Sequence, residues 1–215
     1  MDTNEFKIYT ITIASANRHK VEELRQTLEP LGIELKSTLD FPGAKEVEED
    51  RPDLEGNALK KARYWHRFTG LPALADDTGL EVDALNGAPG VYSARYAGEN
   101  ATYDDNVNKL LSELEGKSSR TARFRTVIAF VTGEDEGDEF LFEGVCEGVI
   151  ISEKRGDKGF GYDPVFVSEG HSLTFAELSS EEKNRISHRG RAVQKFLEFV
   201  KGGSPPGNDR DRLRR

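Results

Sequence analysis

A chain of 215 residues, 36% hydrophobic and 32% charged, is long enough to bury a full core and falls at the upper end of what one domain holds. No apolar run approaches the roughly 20 residues that span a bilayer, and Met1-Asp2-Thr3-Asn4-Glu5 has neither the basic nor the apolar region of a secretory signal, so a cytoplasmic protein without a membrane partner is expected. A formal net charge of −9 argues against a nucleic-acid partner, and one cysteine, Cys146, four histidines and no CxxC exclude a disulfide framework or a Cys/His metal cluster.

Ile8 to Ala14 is rich in β-branched residues in alternation and predicts a first strand, ending at Ser15-Ala16-Asn17. A helix follows, with Val21, Leu24, Leu28 and Leu31 at helical spacing. Strand, short polar loop and helix is an order that points backbone N–H groups at an anion. Lys20 lies in the first helical turn, where a cation opposes the helix dipole; a phosphate is one reason for its presence, a solvated surface lysine the other.

Ile33 to Ser37 predicts a second strand, and the loop from Phe41 to Asp53 carries Glu46, Glu48, Glu49, Asp50 and Asp53, a run that by itself fits a solvated loop. Leu54 to Phe68 predicts a helix capped by Asp53, with Leu54, Ala58, Ala62 and Trp65 on one face. Asn57 is mildly unfavourable inside it, which points to an inward side-chain contact or to an exposed polar position.

Pro72-Ala73-Leu74-Ala75 predicts a short apolar strand with Asp76 and Asp77 at its carboxyl end and Thr78-Gly79 beside them in a turn. Two neighbouring ionised carboxylates repel, so a fold keeps them in bulk water or beside a compensating cation. Asp-Asp-Thr-Gly alone favours the solvated turn. The apolar pattern resumes at Leu80, Val82 and Leu85, however, and Asn86-Gly87-Ala88-Pro89-Gly90 makes a second turn, so the acids lie between structured elements, where open α/β sheets hold ligands.

Thr102 caps a further helix whose Val107, Leu110, Leu111 and Leu114 face the core. Arg120 to Thr132 and Glu139 to Glu147 predict a β-hairpin, with Arg123 and Arg125 on its solvent face. Gly156 to Pro164 is too glycine-rich for regular structure and carries Phe160 and Tyr162, fit either to stack on a base or to fill the core; it matches neither GxxxxGK[ST] nor GxGxxG. Ser179-Ser180-Glu181-Glu182 has capping-box spacing and opens a helical segment with Lys183, followed by His188 and Arg189. The last helix carries Val193, Phe196, Leu197 and Val200, and residues 202–215, poor in apolar side chains, predict a disordered tail.

Acids at Glu48, Glu49, Asp76 and Asp77, cations at Lys20, Lys183 and Arg189, and an aromatic glycine loop form an inventory suited to phosphoryl chemistry. Triphosphate oxygens need fixed cations and a divalent ion, and that ion needs a few carboxylates, its other ligands being water and phosphate. A carboxylate near the metal can orient or deprotonate the attacking water.

The stretch ADDTGLEVDALNGAPGVYSARYAG resembles the signature of the inosine triphosphate pyrophosphatase family, house-cleaning enzymes that hydrolyse non-standard purine nucleoside triphosphates. Ser15 to Lys20, Glu49 to Ala58, Phe160 to Pro164, and Lys183 through Ser187 to Gly190 resemble its other motifs in the same order, covering about residues 8–200. The resemblance implies an α/β fold, an elongated mixed central sheet with two α/β lobes flanking a nucleotide-binding cleft, as one bilobed domain over residues 1–201. It implies hydrolysis of ITP, dITP and XTP to the monophosphate and pyrophosphate, with Mg2+ as cofactor and a homodimer as assembly. It also implies Asp77 as general base near magnesium, Glu49 as second metal carboxylate, Asp76 in support and Lys20 in the catalytic set. Ser15, Ala16, Asn17, Arg18, His19, Lys20 and Lys183 would hold the phosphates, and Thr78, Phe160, Gly161, Tyr162, Asp163, His188 and Arg189 the base and sugar.

Asp53-Leu54 stands where the family commonly has Thr-Phe, Gly56-Asn57-Ala58 where it often has Glu-Asn-Ala, Ser15-Ala16-Asn17 for the commoner Thr-Gly-Asn, and Thr78 for serine. These departures leave the metal carboxylate open between Glu48 and Glu49. Two rival readings are a pyrophosphatase for standard or modified pyrimidine triphosphates, which a substrate panel separates, and a non-catalytic nucleotide-binding protein, against which Asp76, Asp77 and Lys20 in motif context speak.

Overall fold

Strand pairing organises the computed structural model, which describes residues 10–202. Among them one mixed sheet contains β1 (Thr10–Ile13), β2 (Glu34–Ser37), β3 (Ala73–Val82), β4 (Pro89–Gly90), β5 (Thr121–Val131), β6 (Glu139–Ile150) and β7 (Phe166–Ser168). The order is β2-β1-β3-β5-β6-β7, with β4 also on β3. The β2-β1-β3 ladder is parallel and the remaining pairs are antiparallel. Five helices pack on it: α1 (Arg18–Leu28), α2 (Leu54–Thr69), α3 (Tyr103–Glu113), α4 (Ser180–Ile186) and α5 (His188–Val200). The expected α/β class and mixed sheet are present, and no helix among the described residues is long and apolar enough to cross a membrane. Ile8 and Tyr9 of the first expected strand, and the expected tail from Gly203 onward, lie outside the described residues.

Helix starts follow the caps written in the sequence. The Asp53 carboxylate accepts the Gly56 N–H at 2.7 Å, Thr102 and Asp105 form a reciprocal box at the start of α3, and Ser179 and Glu182 do the same for α4. Arg123 and Arg125 alternate with buried Ala122, Phe124 and Thr126, and their half-buried guanidinium groups pair with Asp83 and Glu147, and with Glu55 and Glu143, respectively.

The central strand differs from the expectation. Instead of four apolar residues ending in a turn, β3 is ten residues long, and Asp76, Asp77 and Thr78 lie in its middle, paired with Ile128, Val127 and Thr126. Thr78-Gly79 is strand, not turn. The cause is β5, whose long apolar run offers a register partner to every residue from Ala73 to Val82; tertiary pairing overrides the local turn preference of Asp-Asp-Thr-Gly.

Successive β3 side chains point to opposite faces. On one face Leu74 packs with Phe130 and Phe142 beneath α1 and α5, while Leu80 and Val82 join a separate cluster with Phe124, Cys146, Phe166 and the α3 residues Val107 and Leu110. Asp76 and Thr78 occupy the break between these two cores. On the other face Ala73 and Ala75 pack under Leu54, Ala58, Ala62 and Trp65 of α2, and Asp77 follows them. Moreover, β1 pairs with β3 only at Ala73 and Leu74, and β4 only at Leu80 and Glu81. Between Leu74 and Leu80 that edge of β3 has no strand partner among the described residues.

The position of α5 depends on a close approach to β6. A Cβ on Gly144 would lie 2.0 Å from the His188 carbonyl oxygen and 2.6 Å from the Ala192 nitrogen. Both are backbone atoms of α5, so the helix itself would have to shift. We expect Gly144→Ala to destabilise by about 2 kcal/mol, a fall in Tm of about 4–8 °C, and to lower activity with it. An unchanged Tm would show that α5 is not held at this spacing.

Candidate active site

A cleft of about 910 Å³ opens along the free edge of β3. It lies at the carboxyl end of β1, where the chain leaves for β2 on one side and β3 on the other, the switch point at which open α/β sheets bind ligands. Ser15, Ala16, Asn17 and Lys20 line it from the β1–α1 connection, residues 44–49 from the acidic loop, Lys61 from α2, Arg95 from the segment after β4, and Asp76, Asp77 and Thr78 from the strand itself.

The two acids are buried, at 2% and 6% exposure, and face different partners. The Asp76 Oδ2 lies 3.0 Å from Lys20 Nζ and accepts from Arg189 Nε at 3.3 Å and from the Thr78 hydroxyl at 3.4 Å. Its Oδ1 is buried without a hydrogen-bond partner among the described residues. Burial alone would raise the Asp76 pKa, but Lys20, Arg189 and Lys61 outweigh it and hold the carboxyl well below the usual range. Asp77 Oδ1 accepts from Lys61 Nζ at 3.1 Å and Oδ2 from the Asn57 amide at 3.3 Å. There burial, aided by the charge of Glu49, prevails over Lys61 and Lys20 and pushes the pKa up. Adjacent carboxylates driven apart in this way suit different tasks: Asp76 is a fixed charge, Asp77 a group able to take a proton.

Glu48 and Glu49 both line the cleft, Glu48 exposed and Glu49 half-buried. The Glu49 Oε1 is 2.5 Å from Lys61 Nζ, and its carbonyl oxygen accepts from Arg95 Nη2 at 2.9 Å. Burial opposes ionisation of Glu49, but Lys61, Lys20 and Arg95 keep its pKa below the ordinary value. Lys61, itself buried, has its pKa raised because Asp77, Glu49 and Asp76 outweigh the burial that would lower it.

Ser15 Oγ accepts the Asn17 N–H at 3.2 Å and Asn17 Oδ1 the Lys20 N–H at 3.4 Å, which shapes the polar turn ahead of α1. Arg18 is exposed and does not line the cleft, and the His19 side chain lies outside what the structure describes. Phe160, Gly161, Tyr162, Asp163, Lys183, His188 and Arg189 form a second group that does not line it either. There Asp163 accepts from Lys183 Nζ at 2.7 Å and from the Phe160 N–H at 2.8 Å, and Lys183 Nζ and Arg189 Cζ lie 4.8 and 5.5 Å from the Phe160 ring centre. Arg189 joins this group to Asp76. Of the two aromatics, Tyr162 takes the core-filling alternative, its hydroxyl donating to the Ser93 carbonyl at 2.9 Å. His188 is buried against Phe124 at 4.5 Å, and burial, with Arg189 and Lys183 nearby, depresses its pKa so that it stays neutral.

Lys61 and Arg95 were not among the expected site residues. Lys61 follows Asn57 by one helical turn and precedes Trp65 by another, so it continues a row whose other members are buried. The inward contact expected of Asn57 as one alternative is present, with its Oδ1 also accepting the Arg51 N–H at 2.9 Å. Asn57 was the readable signal for that row. Arg95 lies within the signature stretch but carries no local mark of function.

Glu49 Oε1, Asp77 Oδ1 and the Asp76 carbonyl all lie within 3.1 Å of one ammonium group, a convergence of hard oxygen donors. No group of three His, Cys, Asp or Glu side chains able to hold a metal occurs among the described residues. Two carboxylates and a carbonyl nevertheless fit magnesium, which keeps several waters and takes phosphate oxygens rather than an all-protein cage.

The model of the Ham1 family matches residues 11–199. A relative from Desulforamulus reducens named dITP/XTP pyrophosphatase is 53% identical over 192 residues, 88% of this chain and 94% of the relative. Another of that name from Desulfotalea psychrophila is 51% identical over 85% of this chain and 81% of its own length. The solved structure of a HAM1 protein from Coxiella burnetii superposes with a TM-score of 0.84 at 43% identity, over 90% of this chain and 99% of that one.

The opposite pKa directions of the two acids predict unequal stability effects. Asp76→Asn strands Lys20 and Arg189 without their buried counter-charge and should cost about 3 kcal/mol at neutral pH. Because the Asp76 pKa is depressed by folding, its contribution is complete above the ordinary carboxylate range and is lost as the pH falls toward the depressed value. Asp77→Asn, at a site that disfavours the charge, should leave Tm nearly unchanged. Denaturation of both variants between pH 7 and pH 3 is the measurement, and equal losses would contradict the division of roles.

Proposed function

This chain belongs to the Ham1 family, and from that premise we propose that it is a nucleoside-triphosphate pyrophosphatase that hydrolyses non-standard purine nucleoside triphosphates, dITP, ITP and XTP, to the monophosphate and pyrophosphate. The observation that carries the reading is the pair of buried, oppositely tuned acids on the open edge of β3, facing a cleft with Lys20, Lys61 and Arg95 in its walls.

In this mechanism Asp77 accepts the proton of the attacking water, a task suited to a carboxyl whose affinity for a proton is raised. Glu49 and Asp77 would hold magnesium, which when bound neutralises phosphate charge and makes its water more acidic. Lys20, next to the polar turn ahead of α1, supplies a fixed positive charge to the phosphates. Asp76 keeps Lys20 and Arg189 in position without exchanging protons itself. Phe160 and Arg189 would recognise the base, the guanidinium donors favouring a 6-oxo group over the amine of adenine, since an unmatched amine leaves buried donors unpaired. A homodimer in the cytoplasm is proposed on the family resemblance, and light scattering of the purified chain tests the assembly.

Release of pyrophosphate from dITP, XTP, dATP, dGTP and pyrimidine triphosphates, with and without magnesium, is the deciding measurement. We expect dITP and XTP to lead kcat/KM. Equal values for dGTP would remove the substrate class, and a lead for a pyrimidine would favour the rival enzyme. Asp77→Asn should lower kcat by about a hundredfold or more while the protein stays folded. Arg189→Ala should lower kcat/KM and narrow the ratio of dITP to dATP; an unchanged ratio would remove Arg189 from base recognition.

A further inference from the structure

The Lys61 ammonium has three protons, and each meets an oxygen of the same cluster: Glu49 Oε1 at 2.5 Å, the Asp76 carbonyl at 2.8 Å and Asp77 Oδ1 at 3.1 Å. Two of these oxygens belong to the residues proposed above to hold the metal. We propose that Lys61 is a built-in substitute for the divalent cation: in the metal-free protein its ammonium holds that oxygen set together, and a cation can bind only by displacing it. The inference rests on the proposed metal role of Glu49 and Asp77.

The two occupants exclude each other. An ammonium proton directed at a carboxylate lone pair and a cation about 2.1 Å from the same oxygen cannot share it, and their positive charges repel at that distance. Without either of them, Glu49 and Asp77 would be like charges held at one ammonium-sized site. Lys61 removes that repulsion for as long as no metal is bound.

The oxygen set is also built to outlast the departure of Lys61. Asp77 keeps the Asn57 amide on its other oxygen, at 3.3 Å, and the Glu49 backbone keeps its bond from Arg95 at 2.9 Å. Neither tether involves Lys61. The lysine stem is flexible, and Lys61 lines the same cleft as Lys20, so a displaced ammonium remains beside the space where triphosphate oxygens would lie.

The test uses Mn2+ as probe with the full-length chain and no nucleotide, the free ion being counted by its paramagnetic resonance. Lys61→Met should bind Mn2+ about tenfold more tightly than wild type or better, since a competing unit charge has been removed from the site. Lys61→Arg, which keeps the charge, should show no gain. A purely structural lysine would give the reverse, with weaker binding in Lys61→Met, and equal or weaker binding overturns the proposal. Should Lys61→Met not fold, wild type alone decides: acetic anhydride labelling of Lys61, followed by mass spectrometry, should rise severalfold when Mn2+ is added, as the amine leaves its carboxylates. Unchanged labelling at saturating Mn2+ overturns the proposal. If no protein binds Mn2+ and dITP hydrolysis persists in a chelator, the metal reading fails as well; if Mn2+ binds equally to all, that reading stands and only the role of Lys61 falls.

Discussion

Two adjacent carboxylates on an unbroken strand must point to opposite faces of the sheet, and burying both requires a separate source of positive charge on each side. Much of the fold answers to this requirement. On one face α1 brings Lys20 and α5 brings Arg189 to Asp76; on the other α2 brings Lys61 and Asn57 to Asp77. A helix missing from either face would leave an acid uncompensated. The difference between the two environments, where cations prevail over burial at Asp76 and burial prevails at Asp77, then sets the proton affinities of two consecutive residues in opposite directions.

Access to these acids comes from what the strands do not cover. The β1 strand stops pairing at Leu74 and β4 starts at Leu80, so the polar centre of β3 is exposed at its edge while its ladder with β5 stays complete. The cleft is therefore framed on this side by the laddered backbone of β3. Its outer wall, residues 44–49, is irregular but tethered: the Lys45 N–H donates to the Tyr64 hydroxyl at 2.8 Å, Asp50 pairs with Lys60 at 2.8 Å, and Glu49 is gripped by Lys61 and Arg95. All four anchoring side chains lie on α2 or on the segment that follows β4, which ties the acidic loop to the same scaffold that holds Asp77.

The glycine-rich loop belongs to a second polar cluster. Asp163 organises it by binding both the Phe160 backbone and the Lys183 ammonium, and Arg189 links that cluster to Asp76 across the break between the two cores. This continuity ties the Phe160 cluster and Asp76 to one arrangement of α5, whose spacing from β6 is set by the close approach at Gly144.

Composition, helical periodicity and capping residues determined the helices, the hairpin and the helix starts at Asp53, Thr102 and Ser179, because these depend on interactions within a few residues. The motifs in order determined the family. Tertiary structure alone decided that Asp-Asp-Thr-Gly is strand rather than turn, since the deciding ladder comes from β5, some fifty residues away. It alone showed that Glu49 rather than Glu48 is the half-buried acid held by Lys61, because an irregular loop has no periodicity from which burial can be read. And it alone revealed Lys61, whose partners at Glu49, Asp76 and Asp77 lie 12 to 16 residues away in the chain and meet only when α2 packs on β3.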